Sequence, residues 1–197
     1  MQFERLVPYI QEKLLLHHSC YRQQCKGTLW EEICAHALKQ SGYVTDWEPN
    51  FNHRSGKDQT ILETGIAVSN KTGVYNTKLS LIKDLSGSRL QKYPTLQEKL
   101  EYLDRPHQDY IFLLSVDPKQ WNHDNPKYRF IVLNSHKICF SNVQWTEKID
   151  KNGKLAGWKC STEFYDAHIK RSLSDQLWLE NIKSSLFDFN EEILCYC

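Results

Sequence analysis

The stretch SGKDQTILETGIAVSNKTG, residues 55 to 73, reads as two short apolar runs around a tight turn. Ile61 and Leu62 lie before the turn, and Ile66, Ala67 and Val68 after it. Thr64-Gly65 fits a two-residue hairpin loop in which glycine supplies the positive φ. Pairing Glu63 with Ile66 then sets the register, with Leu62 against Ala67, Thr60 against Ser69 and Asp58 against Lys71. Directly paired residues share a face. Asp58, Thr60, Ser69 and Lys71 therefore gather as one polar patch at the open end of the hairpin. The inference depends on the register, because a slip of one residue turns every side chain over. Two readings of the patch stand side by side. One is a weak cross-strand Asp–Lys ion pair on a solvated edge; the other is a site with chemistry.

The rest of the chain sets the frame for that hairpin. Its 197 residues suffice for one domain with a sizeable core and are too few for two full-sized ones. Aromatic residues make up 12%, with six Trp, which argues against disorder. No repeat or low-complexity tract is present, and no apolar run approaches the length of a membrane span. The short LLL near the start sits in a charged segment, which is not a signal-peptide pattern. Seven irregularly spaced Cys then suggest a reduced, cytoplasmic protein. A net charge of +1 neither announces nor excludes a nucleic-acid partner, since local patches matter more than the total.

Periodicity supplies the order of elements. Residues 2 to 17 carry Phe3, Leu6, Ile10 and Leu14 on one helical stripe. Thr28 fits the cap of a second helix, LWEEICAHALKQ, with Glu31 in the capping-box position. GYVTDWE suggests a strand ahead of the hairpin. SLIKDLSGSRLQK reads as irregular, and Pro94 opens a third helix, PTLQEKLEYL. DYIFLLSV and YRFIVLN are two apolar strands joined by the loop of residues 117 to 127. Asn152-Gly153 marks a further hairpin, and Ser174 fits the cap of a last helix, DQLWLENIKSSLF. These elements predict an α/β or α+β fold over residues 1 to 197 as one domain, a mixed sheet flanked by helices.

A helix, a hairpin bearing Asp58 and then Ser69-Asn70-Lys71, a further helix and a strand together resemble the core of the PD-(D/E)XK nuclease superfamily. Within it the chain most resembles a small type II restriction endonuclease. The match covers roughly residues 28 to 116 and is one of pattern. It implies a restriction-endonuclease-like core, Mg²⁺ as cofactor, double-stranded DNA as substrate and a homodimer with no membrane attachment. It also implies Asp58, Ser69 and Lys71 as the catalytic set. Two departures stand out. Lys57 precedes Asp58 where the pattern has Pro, and Ser69 takes the place of the second carboxylate. Some restriction enzymes of the superfamily resemble this, with Ser-x-Lys on the strand and a Glu from a helix in place of the missing acid. Glu98 and Glu101 of the third helix are the first substitutes. Glu31 and Glu32 of the second are the alternatives, since an acid on the preceding helix often joins the site.

The chemistry asks for these residue types. Phosphodiester hydrolysis benefits from a metal that neutralises phosphate charge and makes hydroxide near neutral pH. Mg²⁺ takes oxygen ligands, commonly one or two carboxylates plus water and substrate oxygens. Asp58 with one Glu meets that minimum. Lys71 offers a compact charge beside the attacking water or the phosphate, and Thr60 offers a hydroxyl on the same face.

Residues 71 to 92 hold Lys71, Lys78, Lys83, Arg89 and Lys92 against one Asp. The lysines suit phosphates, Arg89 suits guanine, and Asn76 and Gln91 suit adenine. Gly87 and Ser88 leave room for backbone approach. A solvated basic loop is the alternative. His17, His18, Cys20, Cys25, Cys34, His36, Cys195 and Cys197 raise zinc as a second cofactor reading, but only Cys20 and Cys25 have a fitting separation; Cys34 reads as core. Two other functions share these features. One is a nuclease of the same fold acting in repair or on RNA. The other is a non-catalytic nucleic-acid-binding domain.

Overall fold

The computed structural model describes residues 1–48, 57–105 and 107–195. After a 3-10 turn at Phe3–Leu6 come α1 (Val7–Cys20), α2 (Thr28–Gln40), β1 (Gln59–Ile61), β2 (Ile66–Asn76), β3 (Leu81–Arg89) and α3 (Leu96–Leu103). Then follow β4 (Tyr110–Val116), β5 (Lys127–Asn134), β6 (Thr146–Ile149), β7 (Leu155–Ser161), β8 (Asp166–Lys170), β9 (Gln176–Lys183) and β10 (Phe187–Leu194). The protein is mixed α/β, with few helices and mostly antiparallel strand pairs. It divides into two compact units.

The first unit contains residues 1–75, 107–135 and the chain from Phe187 onward. Its strands run β10-β5-β4-β2-β1. β2 and β4 are parallel, Ser69 beside Ile111 and Lys71 beside Leu113, and the other pairs are antiparallel. A parallel pair needs a long crossover, supplied here by the residues between Asn76 and Tyr110. The predicted stripe Phe3, Leu6, Ile10 and Leu14 is buried, in one core with Trp30, Cys34 and Leu38 of α2 and Val68, Phe112 and Phe130 of the sheet. The Trp30 indole donates to Phe112 O at 3.0 Å, which seats the first turn of α2 on β4.

The hairpin forms, but two residues out of the predicted register. Ile66 pairs with Ile61, not Glu63, and the turn takes up residues 62–65. Gly65 (φ +70°) donates to Ile61 O at 2.8 Å. A shift of two preserves which face each side chain occupies, so the polar patch survives. GYVTDWE contributes a single bridge, Thr45 to Ile61. Its Asp46 accepts the Thr60 N–H at 2.5 Å and donates its own N–H to Thr60 O, which fixes the outer edge of β1.

Thr28 does not cap α2. Gly27 is the N-cap, with φ +56° and no side-chain cap bond. The backbone turns there through a conformation that glycine tolerates, which leaves Thr28 inside the helix.

The second unit contains residues 76–105 and 136–186, with the antiparallel order β3-β9-β8-β7-β6. The hairpin at Asn152-Gly153 is present between β6 and β7. Asp150 Oδ1 accepts the N–H groups of Asn152 and Lys154 across it. Two expectations fail here. SLIKDLSGSRLQK is largely the strand β3, not irregular. Its buried residues, Ile82 and Leu85, are three apart because they lie on opposite faces of the sheet, which hides the period of two. The expected last helix is β9. Leu177 and Leu179 are buried between the half-buried Gln176, Trp178 and Glu180, a plain alternation. Ser174 and Asp175, at φ +60° and +52°, reverse the chain where a cap was expected.

Candidate active site

Asp58 sits just before β1, its N–H bonded to Val68 O at 2.9 Å. Its Oδ2 accepts from the Asn70 N–H at 2.5 Å and from Ser69 Oγ at 3.2 Å. Ser69 is buried, and its hydroxyl thus orients the Asp58 carboxylate. Lys57 Nζ donates to Thr60 Oγ1 at 2.8 Å, so the Thr60 hydroxyl is also tied into the hairpin. Lys71 is half-buried on β2 and makes no ion pair with Asp58; the solvated Asp–Lys bridge does not form. The two-residue shift is the reason, since it carries Lys71 past the end of the β1 ladder at Gln59.

α2 carries a further candidate acid, the half-buried Glu31, in its first turn. Cys34 is fully buried, and burial pushes its thiol well above the usual range. The charges of Cys25, Asp58 and Glu31 push it further. With Gly27 as N-cap, the Thr28–Glu31 capping box is not made. Glu32 is exposed.

The carboxylates of α3 have other work. Thr95 caps the helix, and Glu98 Oε2 accepts both its N–H and its hydroxyl, at 2.9 and 2.7 Å. Glu101 accepts from Gln97 Nε2 at 2.9 Å. Both glutamates are exposed. Among the described residues, no group of three His, Cys, Asp or Glu side chains is arranged to hold a metal.

Sequence reasoning passed over two buried amides of this hairpin. Gln59 is 0% exposed and Asn70 5%, and the side-chain nitrogen and oxygen of each lack a hydrogen-bond partner. Gln59 pairs with Val68, so it shares the core-facing side of the hairpin with Val68 and Asn70. The available signal was a polar residue at each core-facing position of an alternating pattern, between Asp58 and Thr60 and between Ser69 and Lys71.

The predicted DNA contacts lie on β3 and its flanks. Lys78, Lys83, Arg89, Gln91 and Lys92 are exposed. The Lys92 ammonium lies 5.1 Å from the Tyr93 ring and 5.3 Å from that of Tyr102. Asn76 Oδ1 accepts from the Leu79 N–H, so this carbonyl shapes a turn. Gly87 has a packing reason for being small, since a Cβ there would meet Leu177 at 3.0 Å. Arg89 follows a bulge and pairs with Gln176.

The His/Cys cluster is resolved into other bonds. His17 Nε2 bonds Gln23 O, and His18 bonds Tyr21 O and the Tyr128 hydroxyl, which also accepts the Cys25 N–H. Burial pushes Cys25 and Cys195 to about 12, with the Cys195 charge adding to the shift of Cys25. These thiols pack as core. Cys197 lies outside the described residues.

No protein-family model, curated protein or solved structure matches this chain.

Proposed function

We propose that the protein is a Mg²⁺-dependent endonuclease that hydrolyses double-stranded DNA at a specific sequence, in the manner of a type II restriction enzyme. The observation that carries this reading is the Asp58 carboxylate. It is held on one oxygen by Ser69 Oγ and the Asn70 N–H. Lys71 stands half-buried on the same strand as Ser69. The order of elements gives further support. An antiparallel hairpin carries the Asp and the Ser-x-Lys, and the next helix precedes a strand parallel to β2.

The donor set fits a hard cation, because Asp58 and Glu31 offer carboxylate oxygens and no soft ligand is required. Bound there, Mg²⁺ would neutralise phosphate charge and acidify a water. Asp58 holds its ligand oxygen in place through its two fixed bonds. Glu31, in the first turn of α2, is the second acid in this reading. Lys71 orients the attacking water and stabilises the charge that develops on the phosphate. Lys78, Lys83 and Lys92 take phosphates, and Arg89 and Gln91 take base edges. A homodimer supplies two symmetric sites for two strands. We place the protein in the cytoplasm, in keeping with its free thiols. No helix among the described residues is long and apolar enough to cross a membrane.

The test is digestion of a sequenced phage genome with Mg²⁺ and mapping of the ends. Discrete ends support the reading, and a smear favours a repair-type nuclease. DNA retention without cleavage favours the non-catalytic binding domain.

A further inference from the structure

Three histidines hold one loop. The connection between α1 and α2 begins at Tyr21, and its first three carbonyls each meet an imidazole. Tyr21 O lies 3.0 Å from His18 Nδ1, Arg22 O 3.1 Å from His123 Nδ1, and Gln23 O 2.8 Å from His17 Nε2. A carbonyl oxygen only accepts, so each of these ring nitrogens carries a hydrogen. These bonds use one nitrogen of His17 and one of His123. A proton added at the other nitrogen leaves the hold on the loop intact.

His18 differs, because both of its nitrogens are engaged. Nε2 lies 2.9 Å from the Tyr128 hydroxyl, which itself accepts the buried Cys25 N–H at 2.8 Å. With its hydrogen on Nδ1, neutral His18 accepts at Nε2, and the Tyr128 O–H donates there. One directed chain results, from the Cys25 N–H through the Tyr128 hydroxyl and the His18 ring to Tyr21 O. It ties Tyr21 to α1 and Cys25 to β5. A proton on Nε2 sets N–H against O–H, and the Tyr128 hydrogen loses its acceptor. Tyr128 is 2% exposed, so water is not at hand to replace it.

The surroundings single out His18 as the group that changes charge. Burial lowers its pKa; the Tyr21 carbonyl opposes this, and the charge of His17, whose ring lies 4.8 Å away, adds to it. Burial pushes up the Tyr128 hydroxyl and the Cys25 and Cys195 thiols, so all three stay neutral. The remaining side of the ring faces Trp121 at 6.0 Å, with His123 on that indole. A histidine whose pKa falls on folding adds stability that is full above its unfolded value of about 6.5. That stability is lost as pH drops from there to the lower folded value.

We propose that His18, Tyr128 and the Cys25 amide form a proton-operated latch on the α1–α2 connection, closed while His18 is neutral and opened when acid protonates Nε2. The latch stands apart from the nuclease reading, since it needs neither metal nor DNA.

The experiment titrates the isotope-labelled full chain from about pH 8 to about pH 5. Long-range proton–nitrogen correlation reads the imidazoles, and amide hydrogen exchange reads the loop. At neutral pH His18 should carry its hydrogen on Nδ1 and His17 on Nε2. The opening equilibrium at the Cys25 amide, corrected for intrinsic exchange, should rise by up to about tenfold per pH unit below about pH 6.5. His18→Gln should abolish that slope, and Tyr128→Phe should leave the Cys25 amide unprotected at every pH. His17→Gln removes a bond to the loop but not the chain through Tyr128, so it should keep the slope. The wild-type tautomer needs no variant, and it decides the matter even if a variant fails to fold. His18 found with its hydrogen on Nε2 at neutral pH, or a slope that survives His18→Gln, would overturn the latch.

Discussion

Lys99 in the second unit and the amides of Gln59 and Asn70 in the first are buried in opposite ways. In the second unit Lys99 is 1% exposed, yet its ammonium meets Asp175 at 3.2 Å, donates to Tyr93 O and lies 5.7 Å from the Trp158 ring. In the first unit Gln59 and Asn70 are as deeply buried and their amides meet no protein partner. A buried charge that is paired and hydrogen-bonded is complete and reads as architecture. A buried amide with open valences is incomplete and reads as a place for a ligand.

The sharpest break of this comparison is at Asp58. Asp58→Ala and Lys71→Ala should each lower cleavage by about three decades, about 4 kcal/mol of barrier, with the fold retained. Lys71→Ala should melt near wild type, whereas Asp58→Ala should keep the circular dichroism of the fold but lose about 1–3 kcal/mol, because the Ser69 hydroxyl and the Asn70 N–H lose their acceptor. Asp58→Ala should still bind DNA, because losing an acid near phosphate relieves repulsion. Near-normal cleavage by either purified variant would remove the hairpin from the mechanism.

Lys99 should behave in the opposite sense. Lys99→Met leaves Asp175 without its nearest cation, and breaking a buried pair in this way costs about 3–5 kcal/mol. The low end is expected, since Arg171 Nε remains 3.7 Å from Asp175. Urea denaturation reads this directly. A folded Lys99→Met variant should keep its Mg²⁺ affinity; lost affinity with intact stability would make Lys99 part of a site and erase the contrast.

Asn70→Leu measures the open valences themselves. In metal-free protein it should leave stability unchanged or raise it by about 1 kcal/mol, because two unsatisfied polar atoms disappear. A loss of more than 2 kcal/mol in urea would mean that the amide is already satisfied within the fold.

What was legible in the sequence follows the same division. The stripe on α1, the hairpin of residues 59–76 and the strands β4 and β5 were readable, because one period dominated each. β3 was not, since Ile82 and Leu85 are buried on opposite faces at a spacing that mimics no strand. β9 was readable in its alternation, but a serine in cap position weighed more than it should have. Ser174 is left-handed, a conformation that composition alone does not announce. Of the predicted set, Asp58 and Ser69 are hydrogen-bonded, and Lys71 makes no ion pair with Asp58. Gln59 and Asn70 were hidden because each stands between two residues that already had a role. The predicted Asp58–Lys71 facing failed by two positions, because a two-residue loop was assumed where residues 62–65 make the turn.

The smallest effect lies at Glu98, the residue that sequence reasoning placed first as the missing acid. It accepts from the side chain and backbone of Thr95, and those bonds hold its carboxyl below the usual carboxylate range. A carboxyl depressed on folding adds stability above its unfolded pKa, and that stability fades as pH falls through its folded pKa. Glu98→Gln should therefore lower the melting temperature slightly at neutral pH, and the difference from wild type should close under acid. Glu98 is fully exposed, so water screens the effect and keeps it small. Mg²⁺ affinity and cleavage should not move. If Glu98→Gln instead abolishes Mg²⁺ binding while the acid-dependent melting difference persists, Glu98 is a metal ligand as well as a cap.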